Sequence, residues 1–194
     1  MKHFPKDLYD RYEFHEWKHA CAILKSDFPE EWNDIVELLR NFRIKKSWVV
    51  SGGGNKTQLA QWIDKFLCDR GWVEKQFKTS VTVDDHHFDS PTHKVDCFKN
   101  RVALELEWNN KDPFFDRDLN NFRLLFELRA ISVGIILTRC DELQEVFDGL
   151  GRGSSFGNST THMSKLLPRI EGGGGAGCPI IVIGFKQKLF VEDL

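Results

Sequence analysis

Two stretches, ISVGIILTR (131–139) and PIIVIGF (179–185), are apolar at odd and even positions alike. Side chains of a strand alternate between faces, so a strand apolar on both sides needs cover on both sides. Parallel strands sandwiched between helices read this way, and the rest of the chain supplies the helices. PEEWNDIVELLRNF (29–42) puts Trp32, Ile35, Val36, Leu39 and Phe42 on one stripe, with Glu30 and Glu31 early and Arg40 and Arg43 late, as the helix dipole favours. TQLAQWIDKFLCDR (57–70) lines up Leu59, Trp62, Ile63, Phe66 and Leu67; Asn55 or Thr57 can cap it and Gly71 ends it. DPFFDRDLNNFRLLFELRA (112–130) carries Leu119, Phe122, Leu125 and Phe126 at helical spacing, and DELQEVFDGL (141–150) is a short helix. QFKTSVTV (76–83) alternates weakly as a strand, DDHHFDSPTHK (84–94) is a polar loop, GRGSSFGNSTTHMSKL (151–166) is a flexible loop ending in a helix, and EGGGGAG (171–177) is a loop. The order predicts an α/β fold, a mixed central sheet flanked by helices on both faces.

With 194 residues the chain suits one domain, expected over 1–194. No run approaches the roughly 18–20 apolar residues of a membrane span, and the polar, aromatic start is not a signal peptide. The five scattered cysteines form no C-x-x-C pair and predict reduced thiols in a cytoplasmic protein. A net charge of −2 lends no global support to nucleic-acid binding, although a local cleft can still be basic.

VDCFKNRVALELEW (95–108) is a strand with acids in an unexpected place. Val102, Leu104, Leu106 and Trp108 face the core, while Glu105 and Glu107 share the other face, roughly 6.5–7 Å apart. A turn at Lys99–Asn100 would fold Asp96 back alongside Glu105. Two hard carboxylates with open positions suit Mg²⁺, which accepts a substrate phosphate, polarises it and lowers the pKa of an attacking water. Glu107 could bind the ion or orient that water. The plain alternative is an acidic strand face turned to solvent.

The pattern D-x₈-E-x-E resembles the PD-(D/E)-x-K nuclease signature in the form in which Glu or Gln replaces the Lys, as in the BamHI, BglII and BstYI group of type II restriction endonucleases. DRGW (69–72), KNRVALELEW, SVGIILTR, the Ser/Gly-rich loop and CPIIVIGF resemble that group in order and spacing, over roughly residues 30–187. Val95 stands where the signature usually has Pro. The resemblance implies that Asp96 and Glu105 bind the metal and that Glu107 takes the place of the motif Lys. Some members add a residue from just after the second helix, where Glu74 is the nearest acid. It also implies a catalytic core at about 57–187 and a homodimer that cuts double-stranded DNA at palindromic sites, commonly centred on GATC, with Mg²⁺ as cofactor.

Asn110 matches the position of a base-reading Asn in the group, and Asn109 and Lys111 flank it; the alternative is turn chemistry ending a strand. GRGSSFGNSTTH (151–162) resembles the group's C-terminal recognition loop, in which Arg152 could bind guanine and Ser154 and Ser155 could reach base edges. Lys99, Arg101, Lys111, Arg117, Arg123, Arg139, Lys165 and Arg169 are candidates for phosphate contacts. Phe114, Phe115, Phe122 and Phe126 give more aromatic surface than a short helix needs for one core face and could serve a dimer interface; the alternative is that all four rings lie in the monomer core. His86, His87 and His93 form a weak transition-metal alternative. Two rival functions remain open: a non-cleaving DNA-binding protein, which Mg²⁺-dependent cleavage excludes, and a structure-specific repair or resolvase nuclease, which a discrete fragment ladder from plasmid excludes.

Overall fold

The computed structural model describes residues 3–51 and 56–193. The central sheet has six strands: β1 (Tyr12–Trp17), β3 (Val73–Lys75), β6 (Val95–Lys99), β7 (Val102–Glu107), β8 (Val133–Arg139) and β9 (Ile180–Phe185), in the order β1-β9-β8-β7-β6-β3. β7, β8 and β9 run parallel; the other neighbours are antiparallel. The short strands β2 (Ile44–Lys45) and β10 (Phe190–Val191) pair separately, as do β4 (Ser80–Val83) and β5 (His86–Asp89). Seven α-helices occur among the described residues: α1 (Ala20–Asp27), α2 (Pro29–Asn41), α3 (Lys46–Val50), α4 (Gln58–Cys68), α5 (Phe114–Glu127), α6 (Leu143–Gly149) and α7 (Met163–Glu171).

The doubly apolar strands lie in the middle, as their patterning requires. Leu104, Ile135 and Ile181 stand in register on one face, in a core shared with α1, α2, α4 and α6. Ala103, Gly134 and Ile180 stand in register on the other, beneath α5 and α7. Leu59, Ile63 and Leu67 of α4 are buried as its stripe predicts, and the Thr57 hydroxyl caps the helix by accepting from the Ala60 N–H at 3.2 Å. Asn55, the other candidate cap, lies outside the described residues. Gly134 is required by packing: a Cβ there would sit 2.4 Å from the Phe122 ring of α5. Gly134→Ala is therefore expected to cost about 1–3 kcal/mol through overpacking, read as a lower urea midpoint at unchanged slope.

Three segments differ from expectation. β1 edges the sheet well before residue 57, pairing antiparallel with β9. The segment 84–94 is not simply a loop: β4 and β5 form a hairpin turning at Asp84, whose φ of 51° a short Asp side chain tolerates. The 76–83 strand accordingly shortens to β4 and leaves the main sheet, whose edge is β3 instead. The base of the hairpin is tied by the Thr92 N–H donating to the Phe77 carbonyl (3.1 Å) and the Phe77 N–H donating to the Thr92 hydroxyl (3.0 Å). Of the four phenylalanines of α5, Phe115 and Phe122 are core, Phe126 packs partly against them, and Phe114 is exposed with the Arg117 guanidinium 4.2 Å from its ring centre.

Candidate active site

The turn between β6 and β7 falls at Asn100–Arg101, one residue later than expected. Both residues have positive φ (42° and 71°), the geometry of the tight two-residue hairpin. It sets Cys97 opposite Leu104 and brings Asp96 beside Glu105. The Asp96 N–H donates to Glu105 Oε2 at 3.2 Å, and the Leu106 N–H donates to Asp96 Oδ2 at 3.0 Å. The acidic face does not look into solvent: Glu105 and Glu107 are each 1% exposed. Glu107 is held from two sides, by Asn110 Nδ2 donating to Oε2 (2.9 Å) and Arg117 Nη2 donating to Oε1 (3.3 Å).

A further acid completes the group. Asp118 on α5 is fully buried, and its Oδ1 accepts from Arg117 Nε (2.9 Å) and Nη2 (2.8 Å). The sequence reading overlooked it, yet the signal was present. Asp118 stands on the buried stripe formed by Phe115, Leu119 and Phe122, where an acid needs a reason.

Burial next to like charges governs the protonation of this group. Glu105 is pushed well above the usual carboxylate range by burial, then by the charges of Asp118 and Asp96. Burial and the Asp118 charge push Glu107 up to about 9, against the Asn110 hydrogen bond and the Arg117 charge. Asp118 is also raised by burial, although its interactions with the neighbouring Glu107 carboxyl and the Arg117 guanidinium pull the other way. Glu105 Oε1 and Asp118 Oδ2 are buried without a hydrogen-bond partner. Buried charges need partners, so this arrangement carries full negative charge only when a cation compensates it.

The donor set suits a hard divalent ion. Asp96 and Glu105 offer carboxylate oxygens side by side, and one of those oxygens is unsatisfied. Among the described residues no group of three or more His, Cys, Asp or Glu is disposed to hold a metal ion by itself. Mg²⁺ commonly takes one or two carboxylates and completes its shell with waters and substrate phosphate. An open cleft of about 340 Å³ adjoins the group and shares Arg117 with it; His93, Asn121 and Arg123 also line it.

Glu74 is not drawn into this group. It lies exposed on β3, paired with Lys94 at 2.8 Å, and that ammonium holds its carboxyl below the usual range. His86 and His87 are neighbours on β5 and therefore point to opposite faces, so they do not converge on one ion; His87 pairs with Asp89.

The two candidate recognition segments meet. Asn110 and Lys111 are exposed, Asn109 is half-buried, and residues 110–112 run beside 159–161, with Lys111 bridged to Thr160. The 151–162 segment is folded, not simply a flexible loop: Gly153–Phe156 forms a 3₁₀ turn, and Phe156 stacks on Phe147 at 3.9 Å. That anchor leaves Ser154 and Ser155 exposed and Arg152 half-buried. Several basic candidates prove to be engaged within the protein. Arg139 is 2% exposed, Lys99 pairs with Asp34, and Lys165 and Arg169 pair with Asp112. Arg101, Lys111 and Arg123 remain exposed.

A mixed six-stranded sheet covered by helices on both faces, with paired carboxylates on neighbouring strands, defines a restriction-endonuclease-like fold. The sequence matches the family described as restriction endonuclease BglII/BglIII over residues 12–185, and the chain belongs to that family. Membership implies a nuclease that binds DNA. A search of curated proteins returned no match. No helix among the described residues is long and apolar enough to cross a membrane.

Proposed function

We propose that this protein is a type II restriction endonuclease, acting as a homodimer that hydrolyses double-stranded DNA at a short palindromic site, with GATC at its centre as the first site to test. The observation that carries this reading is the Asp96–Glu105 pair: two carboxylates fixed side by side across a hairpin by main-chain N–H groups, with Glu105 Oε1 buried and unpartnered. Asp96 and Glu105 would hold Mg²⁺ there. When bound, the ion supplies Lewis-acid polarisation of the scissile phosphate and a lowered pKa for the attacking water. Glu107, in the place of the motif lysine, orients that water for in-line attack. Asn110 and Arg117 fix the Glu107 carboxyl group. The products carry 5′-phosphate and 3′-hydroxyl ends.

A two-fold enzyme on a two-fold site lets each subunit read one half-site and cut one strand. The outward face of α5 exposes Leu124 (42%), and Leu128 just past its end is 54% exposed; this apolar pair is assigned to the contact with a second copy. Base reading is assigned to Asn110 and Lys111, with Asn109 beside them, and to Arg152, Ser154 and Ser155. Asn110→Ala should cost about 1–3 kcal/mol of discrimination at one base pair, measured as relative cleavage of duplexes altered at single positions. Unchanged preference would remove Asn110 from the reading set.

The direct test is digestion of a plasmid of known sequence with the full chain and Mg²⁺, followed by sequencing of the ends. Ends at one short palindrome, absent when EDTA is added, support the proposal. Binding without cutting would favour a non-cleaving DNA-binding protein, and cutting confined to junctions or damaged DNA would favour a structure-specific nuclease.

A further inference from the structure

Residues 110–112 and 159–161 are distant in sequence yet form one short ribbon. The Thr161 N–H donates to the Asn110 carbonyl at 2.8 Å, the Asn110 N–H donates to the Thr161 hydroxyl at 3.2 Å, and the Asp112 N–H donates to the Ser159 carbonyl at 3.0 Å. At one end of this ribbon the Asn110 side chain rests on Glu107. Beneath it lies Arg139, the last residue of β8. Its Nη2 donates to the Phe156 carbonyl at 2.7 Å and to the Thr160 hydroxyl at 3.0 Å. The Thr160 hydroxyl in turn donates to the Gly157 carbonyl at 2.8 Å. The stacked rings of Phe147 and Phe156 lie beside the guanidinium, with centres 5.6 and 6.0 Å away.

This is an unusual use of an arginine. Its hydrogen-bond partners are a main-chain carbonyl and a hydroxyl, not a carboxylate, and its Nε has no partner. Burying a guanidinium on those terms is unfavourable unless its contacts are needed. Both hydrogen bonds go to one segment. That segment contains Gly151, Gly153 and Gly157, with Gly151 at φ +67°, and glycine backbone samples many conformations unless held. β8 is the wholly buried centre of the sheet, the stiffest element available to hold it.

We propose that Arg139 is a positioning residue for sequence discrimination: it locks residues 156–160 onto β8 and, through the ribbon, sets Asn110 relative to Glu107, so that base reading and hydrolysis share one register on the duplex. The inference rests on the reading of the chain as a site-specific nuclease and adds a residue that never touches DNA.

The test compares wild type, Arg139→Met, Arg139→Lys and Thr160→Val. The wild-type site is first identified by sequencing plasmid ends. Cleavage of a duplex carrying that site is then measured against duplexes altered at each single position. The ratio of the two rates is internal to each preparation, so a partly unfolded fraction cancels. We expect the ratio to fall about tenfold or more in Arg139→Met. Thr160→Val, which removes one of the two acceptors, should lose less. Arg139→Lys, which keeps the cation and one donor centre, should recover part of the loss. An unchanged ratio in Arg139→Met overturns the assignment. If Arg139→Met does not fold, Thr160→Val decides on the same criterion: a lowered ratio supports the assignment and an unchanged one overturns it. Absence of wild-type cleavage would instead defeat the nuclease reading itself, a distinct result.

Discussion

Asp96→Asn and Glu105→Gln each lower DNA cleavage by about a thousandfold or more while leaving duplex affinity within a few-fold of wild type. The magnitude follows from the role proposed for the pair. Charge stabilisation by a bound divalent ion is worth several kcal/mol in the transition state, and each 1.36 kcal/mol is about tenfold in rate. Both substitutions keep the side-chain oxygen that accepts a main-chain N–H, from Leu106 in one case and from Asp96 in the other, so the hairpin stays intact. Single-turnover cleavage on duplex DNA, paired with a binding titration, separates the two quantities. Cleavage near the wild-type rate by either variant would remove that residue from the metal pair.

Glu107→Gln makes the protein more stable at alkaline pH, by about 1–4 kcal/mol near pH 8, while changing it little near pH 5. The direction follows from proton linkage. A glutamate in the unfolded chain titrates near 4.5, whereas the buried Glu107 is pushed up to about 9. Between those values the folded protein holds a proton that the unfolded chain releases. The stability tied to this proton is complete below about pH 4.5 and is lost as pH rises through about 9. Glutamine resembles the protonated acid at every pH: its oxygen, in the place of Oε2, can accept from Asn110, and its amide, in the place of Oε1, can donate toward Asp118. Asp118 and Arg117 are the charged groups that face it, and Arg117 stays paired with Asp118 in the variant. Urea unfolding at pH 5.5 and pH 8 reads the difference directly. An equal pH dependence in the two proteins would contradict the burial assigned to this carboxyl. Sites built for chemistry are commonly less stable than the same fold with the chemistry removed.

What could be read in advance divides along physical lines. The helical stripes of α2, α4 and α5 and the doubly apolar β8 and β9 are local periodicities, and local periodicity survives in a single sequence. The Asp96–Glu105 pair was legible for the same reason, since a tight turn and strand alternation fix its register, and a one-residue error in the turn did not disturb it. β1 was missed because YEFHEW mixes Tyr12 and Phe14 with two acids and a histidine, so an edge strand looks like polar chain. The β4–β5 hairpin was missed because its residues are all exposed and carry no burial pattern. Asp118, the ribbon of residues 110–112 with 159–161 and the burial of Arg139 depend on contacts between distant parts of the chain. Periodicity does not encode which charged residue tertiary packing will enclose, so Arg139, Lys165 and Arg169 read alike in sequence and differ in the fold.

The central claim, that Asp96 and Glu105 gather a divalent cation against a DNA phosphate, is tested most directly by calorimetric titration of Ca²⁺, a hard-oxygen cation of the same charge, into the protein mixed with a duplex carrying its site. Saturable uptake by the wild type, lost in the Asp96→Asn, Glu105→Gln double variant that still binds the duplex, is the predicted result. Equal uptake by both proteins would contradict it.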